Sequence, residues 1–321
     1  SLKMSSQSSD IYLIDASIYI FQSHFSPYVE CYDRNGVELS ALYGFTSFLL
    51  QFLRRTRPRY VGIGMDESLF CGFRHQMCPD YKSNRELPDE NLEMQLKACA
   101  QICEVLGLSA HSSRKYEADD IIGTMAEQVC ADISDGSELV IVTRDKDLAQ
   151  LIRDDSHYLW DYSGNKKRYR KHIHDEYGIL PEQFPDYLGL IGDSVDCISG
   201  VPGVGPVKAK VLLNEFRDMQ GIYENLEKVP GLELRGAKRL AELLEQHRDL
   251  AELSKELATI VCDAHCNSED EDESFVGIDS EDLVIGEASE KELESFLSNY
   301  SFKQEDSSRL LSQLRSLLES N

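Results

Sequence analysis

Three carboxylates within four residues, Glu117, Asp119 and Asp120, open an apolar run of Ile121, Ile122, Met125, Ala126 and Val129. That spacing predicts a helix with the acids on its first turn. The helix macrodipole favours acids there, and Glu117 can act as the cap. Capping needs fewer acids than this, and three so close repel one another unless a cation lies among them. The helix start reads as half of a metal site.

The elements that must position it are short apolar runs that stop at acids. Asp10–Asp15, Tyr60–Asp66 and Glu138–Thr143 read as buried strands, the last followed at once by Arg144-Asp145-Lys146-Asp147. Residues 157–160 suggest a fourth strand and 108–111 a short one, with helices expected at about 40–56 and 91–106. Strands alternating with helices predict an α/β fold, a mostly parallel sheet with helices on both faces. Ligands of such sheets sit outside the carboxyl ends of the strands, where Asp15, Asp66, Asp145 and Asp147 all fall. One acid after a strand is ordinarily a turn former. An acid at every strand end suggests a shared centre.

From about residue 181 the chain turns to helices and tight turns. Gly192-Asp193-Ser194-Val195-Asp196 adds an acid pair, and Gly200-Val201-Pro202-Gly203-Val204-Gly205 leads into a helix with Pro206 in its first turn. Glycines let backbone N–H groups approach a phosphate, and Lys208 and Lys210 follow on the early helix face. Together they suit a grip on a DNA backbone. Residues 236–258 read as helical and 267–274 as a solvated acidic loop. Leu310, Leu311, Leu314, Leu317 and Leu318 mark a terminal helix that docks on its own body or on a partner.

With 321 residues and 41% hydrophobic content the chain can bury a full core. No apolar run approaches membrane-spanning length, and Ser1-Leu2-Lys3 before Met4 reads as an expression scar. The nine cysteines are an odd number and scattered, which fits reduced thiols in a cytoplasm better than disulfides. Zinc at Cys262, His265 and Cys266 would lack a fourth ligand. The net charge of −24 argues against nucleic acid at first sight, but much of it lies in the last 57 residues and in the acid clusters above. The remainder is near neutral. Its basic clusters, Arg54–Arg59 and Lys166–Lys171, read as solvated faces or as contacts to duplex phosphates.

Taken in order, several blocks resemble the bacterial 5′-nuclease family, which includes the 5′→3′ exonuclease domain of DNA polymerase I, phage 5′ exonucleases and flap endonucleases. They are Leu13-Ile14-Asp15, Asp66, Phe73-Arg74-His75, Tyr81-Lys82-Ser83-Asn84-Arg85, Tyr116–Asp120, Thr143–Asp147, Gly192–Asp196 and Gly200–Gly205. The similarity runs from about residue 10 to Phe302, and no polymerase domain follows. The resemblance implies a two-metal nuclease with a helical arch and a helix–three-turn–helix DNA-binding element. By it, Asp15, Asp66, Glu117, Asp119, Asp120, Asp145, Asp147, Asp193 and Asp196 match metal-site carboxylates. Tyr81, Lys82 and Arg85 match arch-base residues facing the scissile phosphate and nearby base, with Arg74 also on the DNA side. Gly200, Val201, Gly203 and Gly205 match the duplex-gripping turn, where a potassium ion is expected at Ser199, Val201 and Val204. The chain departs from the family at Cys197 and Ser199, where Asn and Pro are usual. The implied organisation is a tag-like 1–9, a nuclease core at 10–185 with its arch at about 67–107, and a DNA-binding region at 186–262. An acidic loop with the end of the nuclease domain at 263–302 and a helical extension at 303–321 complete it.

Phosphodiester hydrolysis needs an activated water and shielding of the transferring phosphoryl group, for which oxygen-ligated Mg²⁺ or Mn²⁺ is suited. Asp66, Glu117 and Asp119 are expected around one ion and Asp145, Asp147, Asp193 and Asp196 around the other, with Asp15 and Asp120 orienting waters. Lys82 would stabilise charge at the scissile phosphate, with Asp66 and Asp119 the acids closest to the chemistry. Arg85 would bind an adjacent phosphate, and Tyr81 would stack on a displaced base. The expected partner is DNA with 5′ flaps, 5′ ends or duplex junctions, bound by a monomer in a bacterial cytoplasm, away from any membrane. A catalytically silent junction-binding protein and a nuclease acting on RNA are the competing readings.

Overall fold

A computed structural model describes residues 7–67, 70–132, 136–267, 275 and 277–319, so the acidic run at 268–274 lies outside the described residues. The chain divides into two compact units, Ser1–Ser68 with Glu86–Thr143 and Cys262–Asn321, and Leu69–Arg85 with Arg144–Val261. In unit 2, Leu69–Arg85 groups with Arg144–Val261. Elements are numbered along the whole chain.

Unit 1 is a parallel sheet with helices. Its strands are β1 (Ser8–Asp15), β2 (Pro58–Gly64), β3 (Ser109–His111) and β4 (Leu139–Val142), in the order β3-β2-β1-β4. Leu13 pairs with Gly62 on one side and Ile141 on the other, and Ile11 to Ile14 are all buried. A continuous apolar run of this kind belongs in a strand covered on both faces. The helices are α1 (Ala16–Phe25), α2 (Ser40–Thr56), α4 (Glu90–Val105), α5 (Ala118–Val129), α12 (Glu290–Asn299) and α13 (Gln304–Glu319). α5 packs on β1 and β2 through Ile121, Ile122 and Met125, none of them exposed. Gly64 permits the approach, because a Cβ there would lie 3.0 Å from the Ala118 carbonyl oxygen. α13 docks on α2 and α12, burying Leu310, Leu311, Leu314 and Leu317, and Gln313 donates to Ser47 Oγ at 3.0 Å. The terminal helix therefore closes its own unit.

Unit 2 contains α3 (Phe73–Met77), a hairpin of β5 (His157–Asp161) and β6 (Lys166–Tyr169), and α6 (Arg170–Tyr177). Five more helices follow: α7 (Phe184–Ile191), α8 (Pro206–Phe216), α9 (Met219–Glu224), α10 (Ala237–Gln246) and α11 (Arg248–Ala258). The stretch expected to be helical over 236–258 forms two helices divided at His247, whose φ of −111° and ψ of 27° are not helical. α7 is the hub and packs on both α8 and α11. Its entry is fixed by Gln183, whose side-chain amide donates to the carbonyls of Leu213 at 3.1 Å and Arg217 at 2.7 Å, at the end of α8. Among the described residues no helix is long and apolar enough to cross a membrane. The described cysteines are free thiols, with Cys99 and Cys103, one turn apart on α4, both buried.

Candidate functional site

In unit 1 several of the acids singled out in the sequence are occupied by structural bonds. Asp15 ends β1, is 3% exposed, and its Oδ2 accepts the Thr143 hydroxyl at 3.0 Å. Asp66 lies two residues past β2, where Oδ1 accepts the Ala118 N–H at 2.8 Å. Its own N–H donates to Ser17 Oγ at 3.2 Å. Asp66 thus satisfies one of the N–H groups that a helix start leaves without a partner. Asp120 is fully buried, and its Oδ2 accepts the Glu117 N–H at 3.0 Å, the back-reaching half of a capping box. Glu117 and Asp119 are half-buried on the same turn. Among the described residues of this unit, no three His, Cys, Asp or Glu side chains bring ligand atoms within 4.8 Å of one another.

Such a trio exists in unit 2. Carboxylate oxygens of Asp147, Asp193 and Asp196 all lie within 4.8 Å of one another. The Asp145 Oδ1 accepts the Asp147 N–H at 2.9 Å, which fixes the turn after β4. Asp193 is held by a paired bridge with Ile198, each N–H donating to the other's carbonyl at 2.8 Å. Burial, then the neighbouring Asp145, pushes Asp147 up to about 7, and burial raises Asp145 as well. Among the described residues, Asp147 Oδ1 is buried and accepts no hydrogen bond. A buried carboxylate oxygen with no hydrogen bond, beside two further carboxylates, is what a hard divalent cation would satisfy, and the all-oxygen donor set fits Mg²⁺ or Mn²⁺. The zinc considered at Cys262, His265 and Cys266 falls partly on the Cys266 side chain, which lies outside the described residues.

A four-residue turn clasps the loop that carries Asp193 and Asp196. The Lys82 N–H donates to the Asp196 carbonyl at 2.9 Å, and the Asn84 amide donates to the Val195 carbonyl at 3.1 Å. Ser83 Oγ lies 3.9 Å from Cys197 Sγ, and the Arg85 guanidinium donates to Asp196 Oδ1 at 3.0 Å. Both sides of the clasp are conformationally unusual, with φ of +50° at Lys82 and +58° at Cys197. Side chains other than Gly, Asn and Asp rarely enter that region, and such strain concentrates at functional sites. It also accounts for the usual Asn at the position of Cys197, since an Asn is tolerated there more readily than a Cys. Lys82 Nζ lies 5.4 Å from the centre of the Tyr81 ring.

The Gly-rich turn is built partly for its own packing. Gly200 has φ of +65°, and a Cβ on it would lie 2.3 Å from the Gly192 nitrogen, so a side chain there collides with backbone whatever binds outside. Its N–H donates to Ser254 Oγ on α11 at 3.0 Å. Val201 and Val204 are buried and joined by a backbone hydrogen bond of 3.0 Å, while Ser199 Oγ donates to the Gly200 carbonyl at 3.0 Å. Gly203 approaches Leu243, leaving Gly205, the residue before α8, as the glycine with open space around it. Lys208 is half-buried with Nζ 3.4 Å from the Gly203 carbonyl, and Lys210 is exposed, its stem lying over Gly178.

Two residues expected to face DNA are buried. Arg74 is 4% exposed; Nε donates to the Leu257 carbonyl at 2.9 Å and Nη2 to the Thr259 carbonyl at 2.8 Å, with the guanidinium over the Phe73 ring at 4.5 Å. It closes the end of α11, a packing role where a DNA contact was expected. Tyr81 is 7% exposed, so it presents little ring surface for stacking. The sequence reading passed over Lys146, whose Nζ lies 3.1 Å from Asp193 Oδ2 and 3.3 Å from Asp147 Oδ1. Its place between two strand-end acids was the available signal. It also passed over Ser254, which nothing local distinguishes.

Residues 10–178 match the family described as 5′-3′ exonuclease, N-terminal resolvase-like domain, and residues 179–281 match its C-terminal SAM fold. The chain is 33% identical over 295 residues to a 5′-3′ exonuclease of Buchnera aphidicola from Schizaphis graminum, covering 92% of this chain and 97% of that one. It is 34% identical over 255 residues to DNA polymerase I of Bacillus subtilis, covering 78% of this chain but 28% of the polymerase. In three dimensions it is similar to the flap endonuclease of bacteriophage T5 crystallised with DNA and metal ions. There the TM-score is 0.61 at 15% identity, covering 97% of this chain and 100% of that one, a likeness of fold.

Proposed function

The chain belongs to the 5′-3′ exonuclease family, and we propose that it hydrolyses DNA phosphodiesters at 5′ ends, 5′ flaps and duplex junctions with two divalent cations. The observation that carries this reading is the trio Asp147, Asp193 and Asp196, with its buried oxygen lacking a hydrogen bond. These three would hold one cation, with Asp145 supporting the turn. Asp66, Glu117 and Asp119 of unit 1 would hold the other, with Asp15 and Asp120 positioning the strand end and helix start around them. A bound cation there would supply Lewis-acid shielding of the phosphoryl charge and a lowered water pKa.

The remaining work falls to the chain's own groups. Lys82 supplies a compact positive charge on a backbone held rigid by its bond to Asp196, which favours charge developing on the scissile phosphate. Arg85, half-exposed, binds an adjacent phosphate when it leaves Asp196. The open Gly205 N–H region, Lys208 and Lys210 grip duplex phosphates, and Ser199, Val201 and Val204 are the place for a potassium ion in that turn. Tyr81 stacks on a base only if it leaves its buried position. The setting is the cytoplasm of a bacterium, in replication or repair.

The test is cleavage of a 5′-labelled flap duplex with Mg²⁺, with EDTA, and with an Asp119→Asn/Asp147→Asn double variant. Product sized to the junction, formed only by the wild-type protein with metal, supports the reading. Tight flap binding with no cut under Mg²⁺ or Mn²⁺ overturns it in favour of a silent junction-binder.

A further inference from the structure

The three carboxylates of the unit 2 trio are each met by a cation that the chain itself provides. Lys146 Nζ contacts Asp193 Oδ2 at 3.1 Å and Asp147 Oδ1 at 3.3 Å, and Arg85 contacts Asp196 Oδ1 at 3.0 Å. The acids are the inner partners: the side chains of Asp147 and Asp193 are 11% and 6% exposed, against 40% for Lys146. Three acids whose oxygens lie within 4.8 Å of one another cannot all stay ionised in a partly buried site without a nearby positive charge.

We propose that Lys146 is a displaceable counter-cation for this trio: its ammonium holds Asp147 and Asp193 in place when no divalent ion is bound and yields its position when one binds. Lys146 thereby sets how tightly the chain takes that ion. The proposal rests on the reading of the trio as a cation site.

The chemistry favours a lysine in this role. An ammonium approaches a carboxylate to about 3 Å, whereas Mg²⁺ takes carboxylate oxygens at about 2.1 Å, so the two compete for the same oxygens. Lys146 makes its contact to Asp147 Oδ1 without hydrogen-bond geometry, which leaves that oxygen available to a ligand that aligns better. A half-exposed lysine on a flexible stem can turn its ammonium into water while its methylenes stay packed. The affinity for metal is then a difference, the ion's own binding less the cost of displacing and repelling Lys146.

The test is Mn²⁺ binding to wild-type, Lys146→Met and Lys146→Arg proteins, followed by calorimetry, with melting curves recorded in EDTA and in excess Mn²⁺. The expected result is Mn²⁺ binding about tenfold tighter in Lys146→Met, as removal of a repelling charge requires, and near wild type in Lys146→Arg. Lys146→Met should also melt below wild type in EDTA, with the gap closing in Mn²⁺. Equal or weaker Mn²⁺ binding by Lys146→Met, in a protein that still melts cooperatively, overturns the proposal. If Lys146→Met does not fold, Lys146→Gln takes its place with the same expected tightening. An Asp147→Asn/Asp193→Asn protein that binds Mn²⁺ as wild type does would instead remove the cation-site reading, and this proposal with it.

Discussion

Replacing Arg74 decides between two roles that predict different measurements. In the structure its guanidinium satisfies the carbonyls of Leu257 and Thr259, at the end of α11 where no further helical N–H can reach them. Arg74→Met keeps most of the apolar stem and removes both donors. A buried acceptor left without its partner costs about 1–3 kcal/mol, and loss of a cation from a helix C-terminus adds about 0.3–1 kcal/mol. Thr259 is only part-buried, and water can reach its carbonyl, so the lower half of the range applies to it. The expected loss is about 3 kcal/mol, or a fall of about 4–5 °C in Tm for a chain of 321 residues at about 2.1 cal/mol/K per residue. The assay is thermal unfolding followed by circular dichroism, paired with flap-binding affinity measured across a salt series. A variant that melts within about 2 °C of wild type but loses affinity with a shallower salt slope would refute the packing role and restore the DNA contact.

Three further outcomes follow from other residues. Lys82→Ala should lower turnover about 10²–10³-fold while leaving DNA affinity near wild type, since its charge acts where charge develops; equal losses of binding and turnover would remove that role. Lys208→Ala should weaken DNA binding across sequences and reduce the salt slope by about one, and an unchanged slope would remove the phosphate grip. Burial lowers the His157 pKa, and its Nδ1 accepts the Arg153 N–H at 3.3 Å, so the native state holds it neutral. The unfolded chain therefore binds the extra proton more readily, and stability falls as pH drops below the ordinary histidine value of 6.5. His157→Asn should flatten the dependence of Tm on pH below that point; parallel wild-type and variant curves would count against the buried neutral imidazole.

The elements with strong periodicity were legible in the sequence: β1, β2 and β4 as apolar runs, α2, α4 and α5 as amphipathic helices, and α13 as a leucine stripe. α1 was not, because it starts immediately after Asp15 with no turn residue to announce it. The break between α10 and α11 was hidden because the apolar spacing continues across His247. Residue types revealed which acids stand at strand ends, since each follows an apolar run directly. What they could not reveal is how each acid is used. Asp66 satisfies the Ala118 N–H because β2 runs close to α5, whereas Asp120 reaches back to the Glu117 N–H within its own turn.

Arg74 was expected on the DNA side because, within its block, a basic residue beside an aromatic one looks the same whether it faces DNA or a helix end. The structure suggests a connection between the two roles. Arg74 closes the C-terminal end of α11, and the same helix presents Ser254 to the Gly200 N–H, which positions the turn between Gly192 and Gly205. Gly192 in turn adjoins Asp193, and the bridge from Asp193 to Ile198 carries the order to Asp196. A residue with no exposed charge can thus support both the acid trio and the glycine turn by holding one helix in register with them. On this argument Arg74→Met should weaken Mn²⁺ binding and DNA binding together, each in proportion to the loss of stability. Lys208→Ala, acting at the surface, should change DNA binding while leaving Mn²⁺ binding and Tm as in wild type.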